Sequence, residues 1–300
     1  MRVISAKDMD AVLEWRGLIE TLRQAYRSQT VYPPPSRFDI DRSPTGRGCL
    51  QINPAWTNFT AQGHTDRGYI GLGVDLDLLQ QDAASVASGV YMLFSGRTGA
   101  PIALLDGSYM NLWRQAGIHA LAASYLARED ISRLLIIGTH PLLAYLLSAY
   151  AEIRDIRSVL IYGADDALCR RLASQPALSR MTIGTANDLS ETVSGADMIT
   201  VLQGPVPDIS LESVGPGLHI DVIVPELAIP QALKEDARIF ISDNVSSDDT
   251  GTLEIAATLH ELAQGDKAGR RFYSQLTLFQ SSKASGLADL ATGGHIFLRT

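Results

Sequence analysis

Apolar and polar positions along the chain fall into two textures. After a short apolar strand, "MRVIS", Ser5 is placed to cap a helix whose apolar positions run through Met9, Val12, Leu13, Leu18, Ile19 and Leu22. "YPPPSR" then imposes an extended segment, because each proline fixes φ and lacks a donor. "GCLQINPAW", "GYIGLGVDLDL" and "ASGVYMLFSGRTGAPIALLDG" follow as strands. The last is a hairpin in which the runs "VYMLF" and "IALL" flank the turn "SGRTGAP". Residues 1 to about 110 therefore read as an α+β unit with an antiparallel sheet.

From Asn111 strands and helices alternate. "NLWRQAGIHALAASYLARED" is a long Ala-rich helix, followed by strand "RLLIIG", helix "PLLAYLLSAYAEI", strand "SVLIYG" and helix "DALCRRLASQ". "MTIGT", helix "NDLSETVSG", strands "ADMITVLQG" and "GLHIDVIV", helix "IPQALKED" and strand "ARIFISD" continue the pattern to roughly residue 270. Such alternation predicts a doubly wound parallel sheet with its ligands at the carboxyl ends of the strands. The last thirty residues are expected to hold one more helix, "QLTLFQSSKASGLADLATG".

Composition narrows the function classes. The 300 residues are 46% hydrophobic and 19% charged, as a folded globular chain requires, and the net charge of -8 offers no basic face to nucleic acid. The start has neither the charged region nor the apolar run of a secretory signal, and Gly138, His140 and Pro141 interrupt the most apolar segment before membrane-spanning length. Cys49 and Cys169 form neither a disulfide framework nor a zinc site, so no metal is expected; they read as buried filler before they read as nucleophiles. A cytoplasmic setting is the expectation.

The order of pieces resembles the ornithine cyclodeaminase/mu-crystallin family across nearly the whole chain. "LFSGRTGAPIALLDG" followed by "NLWRQAGIHALAASYLARED", the strands "GADMITVLQG" and "PGLHIDVI", and the closing "GRRFYSQLTLFQSSKASGLADLA" carry the likeness. It implies a Rossmann-type doubly wound sheet at residues 113–271. That domain is inserted in an α+β dimerisation and substrate-binding domain built from residues 1–112 and 272–300. It implies a homodimer, an NAD(P) cofactor and hydride chemistry at a carbon bearing nitrogen beside a carboxylate. Arg37 in "PPPSRF" and Arg114 in "LWRQAG" hold the family's carboxylate-binding positions, where a guanidinium fork reads a planar carboxylate. Gly138, Thr139 and His140 stand at the phosphate turn, Gln203 and His219 at further cofactor positions, and Asp165 (or Asp166) where ribose hydroxyls are bound. Asp165 and Asp166 read equally as a helix cap.

Three departures weigh against an ordinary cyclodeaminase. His140 replaces the second glycine of the phosphate turn, and Pro141 beside it removes a backbone N–H. The family's substrate lysine falls on Gly71, or neighbouring Ile70, and no lysine occurs between Lys7 and Lys234. The catalytic aspartate after "GLHIDVI" is missing, with Glu226 and Asp221 as displaced candidates for a general base. Three readings fit these residues: an NAD(P)-dependent imine reductase or amino-acid dehydrogenase, a cofactor-independent enzyme of a specialised pathway, and a non-catalytic ligand-binding relative. All three take a small carboxylate.

Overall fold

The computed structural model describes residues 1–43, 46–61, 68–80, 83–204, 206, 214–223, 229–243, 254–281 and 286–300. The first stretch runs β1 (Arg2–Ile4), α1 (Ala6–Asp10), α2 (Trp15–Arg27), β2 (Thr30–Val31), β3 (Ser36–Asp41), β4 (Gly46–Thr57), β5 (Tyr69–Gln80), β6 (Ala83–Ser95), β7 (Pro101–Asp106) and α3 (Gly107–Leu126). The second runs β8 (Arg133–Ile137), α4 (Leu143–Ile153), β9 (Ser158–Tyr162), α5 (Asp166–Ala173), β10 (Thr182–Ala186), α6 (Leu189–Gly195) and β11 (Met198–Val201). The third runs β12 (His219–Val222), α7 (Gln231–Asp236), β13 (Arg238–Ile241), β14 (Ile255–Thr258), α8 (Leu259–Gln264), β15 (Thr277–Gln280) and α9 (Gly286–Phe297). No helix among the described residues is long and apolar enough to cross a membrane.

The chain divides into two compact units, Met1–Gln115 with Ala284–Thr300, and Ala116–Lys283. In the first, β1, β7, β6, β5, β4 and β2 form one sheet in that order, with β3 also on β4. All its pairs are antiparallel except β1 with β7. Side chains alternate between the two faces, so each face has its own character. One carries Ala55, Gly71, Gly73, Tyr91, Leu93, Ala103 and Leu105, and lies under α9, on which α2 packs. The other carries Ile40, Leu50, Ile52, Leu72, Val74, Leu76, Val90, Met92 and Phe94, half-buried or exposed.

The expected single helix after Ser5 is two. Ser5 caps α1 through a capping box with Asp8, but α1 ends at Asp10 and α2 begins only at Trp15. The chain break lets Met9 and Leu13 be buried as well as the Leu18, Ile19, Leu22 and Tyr26 face of α2. Each fully buried side chain of this kind contributes about 1.5–3 kcal/mol.

In the second unit the sheet is parallel throughout, ordered β10-β9-β8-β11-β12-β15-β13-β14. This is the α/β, doubly wound architecture that the alternating texture predicted. β8 and β11 are buried almost end to end because helices cover both faces of such a sheet. "TLFQ", read as part of a helix, is instead β15, a central strand between β12 and β13, and the helix starts at Gly286. A short apolar run buried on both faces carries no period that separates strand from helix.

Two charged clusters tie this unit together. Asp197 accepts from Arg128 Nη2 (2.9 Å), Arg133 Nη2 (3.0 Å) and the backbone N–H groups of Ser132 and Arg133 (3.0 Å each). Burial pushes its carboxyl up, but these donors more than offset it and leave it below its ordinary value. At the end of α3, Arg154 donates to the carbonyls of Ala123, Ser124, Ala127 and Arg128, and Arg270 to that of Leu126. Burial, then the charges of Arg128 and Arg154, pull Arg270 down to about 10, so it stays protonated at neutral pH.

Candidate substrate and nucleotide sites

Register builds a polar patch on the α9 side of the antiparallel sheet. Arg37 pairs with Gln51, Gln51 with Asp75 and Asp75 with Gly89, so four strands contribute one row, and Asn53 pairs with Gly73 in the next. Gln51 Nε2 donates to Asn53 Oδ1 (2.9 Å), which fixes the Asn53 amide so that Nδ2 donates to Asp75 Oδ2 (2.8 Å). Asp75 Oδ1 lies against Gly89, where any Cβ would overlap it. Desolvation raises the Asp75 carboxyl above its ordinary value, while Arg114 and Asn53 oppose the shift.

Arg114 sits in the first half of α3 and is only 6% exposed. Its Nε lies 2.8 Å from Asp289 Oδ1 of α9, an ion pair by distance whose N–H does not point along the contact, and Nη2 donates to Asn111 Oδ1. Arg37, by contrast, is exposed on β3, with Nη2 3.6 Å from Cys49 Sγ. Cys49 and Cys169 are both free thiols.

Gly71, one of the two positions that the resemblance sets against the family's lysine, has no room for a side chain. A Cβ on Gly71 would overlap the Tyr91 hydroxyl, fall 2.7 Å from Tyr91 Cζ and sit 3.0 Å from Leu290 Cδ1. Tyr91 is 1% exposed, and its hydroxyl has no hydrogen-bond partner among the described residues. Burial, then the negative charge of Asp289, push this phenol well above its ordinary value, with Arg114 opposing. A neutral hydroxyl therefore fills the space above Gly71. Sequence reasoning missed Asp75, Asn53, Tyr91 and Asp289; the signal for the first three is the cross-strand register, which no single strand displays, while Asp289 comes from helix α9.

In the parallel sheet the strand order reverses between β8 and β11. Gly138, Gly163 and Gly204 follow β8, β9 and β11, each at φ +89°. A Cβ on Gly138 would strike Gln203 (2.6 Å from Cβ, 2.8 Å from N and O), so the turns after β8 and β11 meet backbone to backbone. Thr139 is half-buried, and Gln203 and His140 are exposed. Leu142 N–H donates to His140 Nδ1 (3.1 Å) and Leu143 N–H to the His140 carbonyl (3.0 Å). Because a backbone N–H can only donate, Nδ1 carries the lone pair and the ring proton sits on Nε2. Partial burial pulls this imidazole below its ordinary value, which favours that neutral form.

Several candidates lie elsewhere. Asp165 is the N-cap of α5, its Oδ1 accepting from Leu168 N–H (2.7 Å), so that oxygen is committed to the helix. His219 is fully buried, with Nδ1 3.0 Å from Thr277 Oγ1, and burial lowers it to about 4. A buried ring of this kind gives no face to a ligand. Asp221 is 0% exposed; one oxygen is 2.6 Å from His119 Nδ1 and the other accepts from Tyr150 Oη (2.6 Å). A general base must reach a substrate proton. Asp221, with both oxygens occupied inside the parallel-sheet unit, is built for the interior instead. Glu226 lies outside the described residues.

The ornithine cyclodeaminase/mu-crystallin family model matches residues 79–292. The chain belongs to this family. A Delta(1)-pyrroline-2-carboxylate reductase of Colwellia psychrerythraea is 26% identical, the match covering 97% of this chain and 96% of that one. The Arabidopsis thaliana protein SAR DEFICIENT 4 is 24% identical over 96% of this chain and 94% of its own. Among solved structures, the Thermococcus litoralis Delta(1)-pyrroline-2-carboxylate reductase, in complex with NADH and L-proline, superposes with a TM-score of 0.80 at 20% identity. It covers 100% of this chain and 97% of that one. An archaeal alanine dehydrogenase dimer with bound NAD superposes at 0.81, also at 20% identity, covering 100% of this chain and 95% of its own. Both superpositions extend over the whole chain, so the fold is shared throughout.

Proposed function

We propose that the protein is an enzyme of small amino or imino acids, of the imine-reductase class, that holds its substrate on the polar patch of the antiparallel sheet. The observation that carries this reading is buried Arg114, whose charge acts on the Asp75 carboxyl that Asn53 holds. A guanidinium beside a carboxylate of raised pKa complements a molecule bearing a carboxylate and a protonated nitrogen. Family membership and the reductase names among its relatives support the reaction class. A reduced nicotinamide, when bound, supplies the hydride. The turns after β9 and β11, where a Cβ on Gly163 or Gly204 would meet nothing closer than 3.9 Å, leave room for the close backbone approach of a dinucleotide, with Gly138, Thr139 and Gln203 beside them. What the chain contributes at the substrate is orientation: Arg114 for the carboxylate, Asp75 for the nitrogen and its proton.

The test is NADH and NADPH oxidation with Δ1-pyrroline-2-carboxylate as the first substrate, on wild type and Asp75→Asn. We expect saturable turnover in wild type and a loss of kcat/KM of about 10²-fold or more in the variant, the range of one positioned acid–base group. Asp75→Asn turning over like wild type would end the role given to that carboxylate. Binding of imino acids without turnover, or turnover without cofactor, would favour the other two readings. The occupied N–H groups at the start of α4 are the observation in their favour.

The apolar face of the same sheet we assign to a second copy of the chain. Leu72, Val74, Leu76 and Met92 lie half-buried in one row on that face beside exposed Phe38 and Val90, the apolar patterning of an interface. Light scattering on wild type is expected to give a dimer and on Val74→Asp a monomer; a wild-type monomer at micromolar concentration would refute the assignment.

A further inference from the structure

We propose that His140 is a built-in competitor for the diphosphate of a dinucleotide, an inference that rests on the nicotinamide reading above. The first N–H groups of a helix have no intrahelical partner, and these are the groups that take an anion. At the start of α4 three of these positions are already spoken for. Pro141 has no N–H, Leu142 N–H donates to the His140 imidazole, and Leu143 N–H donates to the His140 carbonyl. The imidazole thus supplies from within the chain what a phosphate oxygen supplies from a ligand.

The surroundings make this a competition and not a permanent block. The His140 side chain is exposed and Leu142 beneath it is buried. The ring can therefore turn out to solvent while the backbone it caps stays fixed. The exchange then trades a neutral acceptor for a charged one at the same N–H, which still favours the anion. Binding proceeds, but against a bond already made. A hydrogen bond of ordinary net strength lowers the dinucleotide affinity about five- to tenfold.

The experiment measures Kd by calorimetry for NADH and NADPH, and the melting temperature without ligand, on the full chain and its His140→Ala and His140→Asn variants. His140→Ala is expected to tighten dinucleotide binding about five- to tenfold while lowering the ligand-free Tm by about 2 °C, because a helix cap is lost. These two shifts oppose each other, which a merely structural histidine does not produce. His140→Asn, whose side-chain oxygen can cap in the same way, is expected to stay near wild type in both. Equal affinity in wild type and His140→Ala overturns the competition and leaves the nicotinamide reading standing. Weaker binding in His140→Ala overturns it as well, since the ring would then be a ligand contact. Binding of neither cofactor by any of the three at millimolar concentration overturns both.

Discussion

Placing a lysine at position 71 is expected to destabilise the protein strongly, not to create a substrate site. The backbone there runs through the middle of β5, and the space a side chain would enter is taken by the Tyr91 phenol. Tyr91 cannot retreat. On its other side Gly293 of α9 comes so close that a Cβ there would sit 2.6 Å from Tyr91 Cε1. The ring is held between two glycines, one on the sheet and one on the helix that covers it. Overpacking a core commonly costs 1–3 kcal/mol, and with no room on either side the loss for Gly71→Lys is expected at about 3 kcal/mol or more. That is a large part of the roughly 5–15 kcal/mol of a native domain. Tyr91→Ala alone should also destabilise, by cavity formation. The two together should be less destabilising than their sum, since the lysine stem occupies the volume the ring vacates. Urea denaturation of the two single variants and the double variant measures this coupling. A Gly71→Lys protein with wild-type stability would show that Tyr91 does not occupy the lysine's room.

The second large effect is expected at Asp221. In Asp221→Ala both His119 and Tyr150 lose their partner inside a unit from which water is excluded, and Thr200, whose hydroxyl approaches Tyr150 at 3.4 Å, loses its place in the network. The Phe279 ring, edge-on to His119 at 5.4 Å, closes that side. Removing one member of such a buried pair costs about 3–5 kcal/mol, because desolvated groups are left unsatisfied. Asp221→Asn should lose less, since its oxygen can still accept from one of the two donors. The drop is read from denaturant midpoints at constant slope. A loss below about 1 kcal/mol in Asp221→Ala would mean that the interior repacks or admits water.

The architecture was largely legible in the chain, because strand–helix alternation, glycine turns and the order of motifs are all local signals. The departures were legible too: His140 and Gly71 stand out by identity alone. What fills them was not. Tyr91 lies on the neighbouring strand diagonal to Gly71, two residues from its direct partner, so their encounter depends on register that no local pattern records. The polar patch suffered in the same way. Asp75 reads as one of two acids in "GVDLDL", and only the pairing of β5 with β4 sets it beside Asn53. Asp221 was misjudged for the opposite reason: its residue type suggested chemistry, while its burial in β12 was invisible until His119 and Tyr150 were seen to meet it. The α1–α2 break has no glycine or proline to announce it, and "TLFQ" is too short for its period to speak.

The end of α3 bears on time as well as on stability. Helices ordinarily fray from their termini, where carbonyls lack partners. Here Arg154 and Arg270 occupy those of Ala123, Ser124, Leu126 and Ala127, with positive charge at the negative pole of the helix. Opening the last turn means breaking several charged bonds together. Its amide protons should therefore leave only with a larger part of the parallel-sheet unit, making the point where the helix stops one of the slowest to exchange with solvent and not one of the fastest.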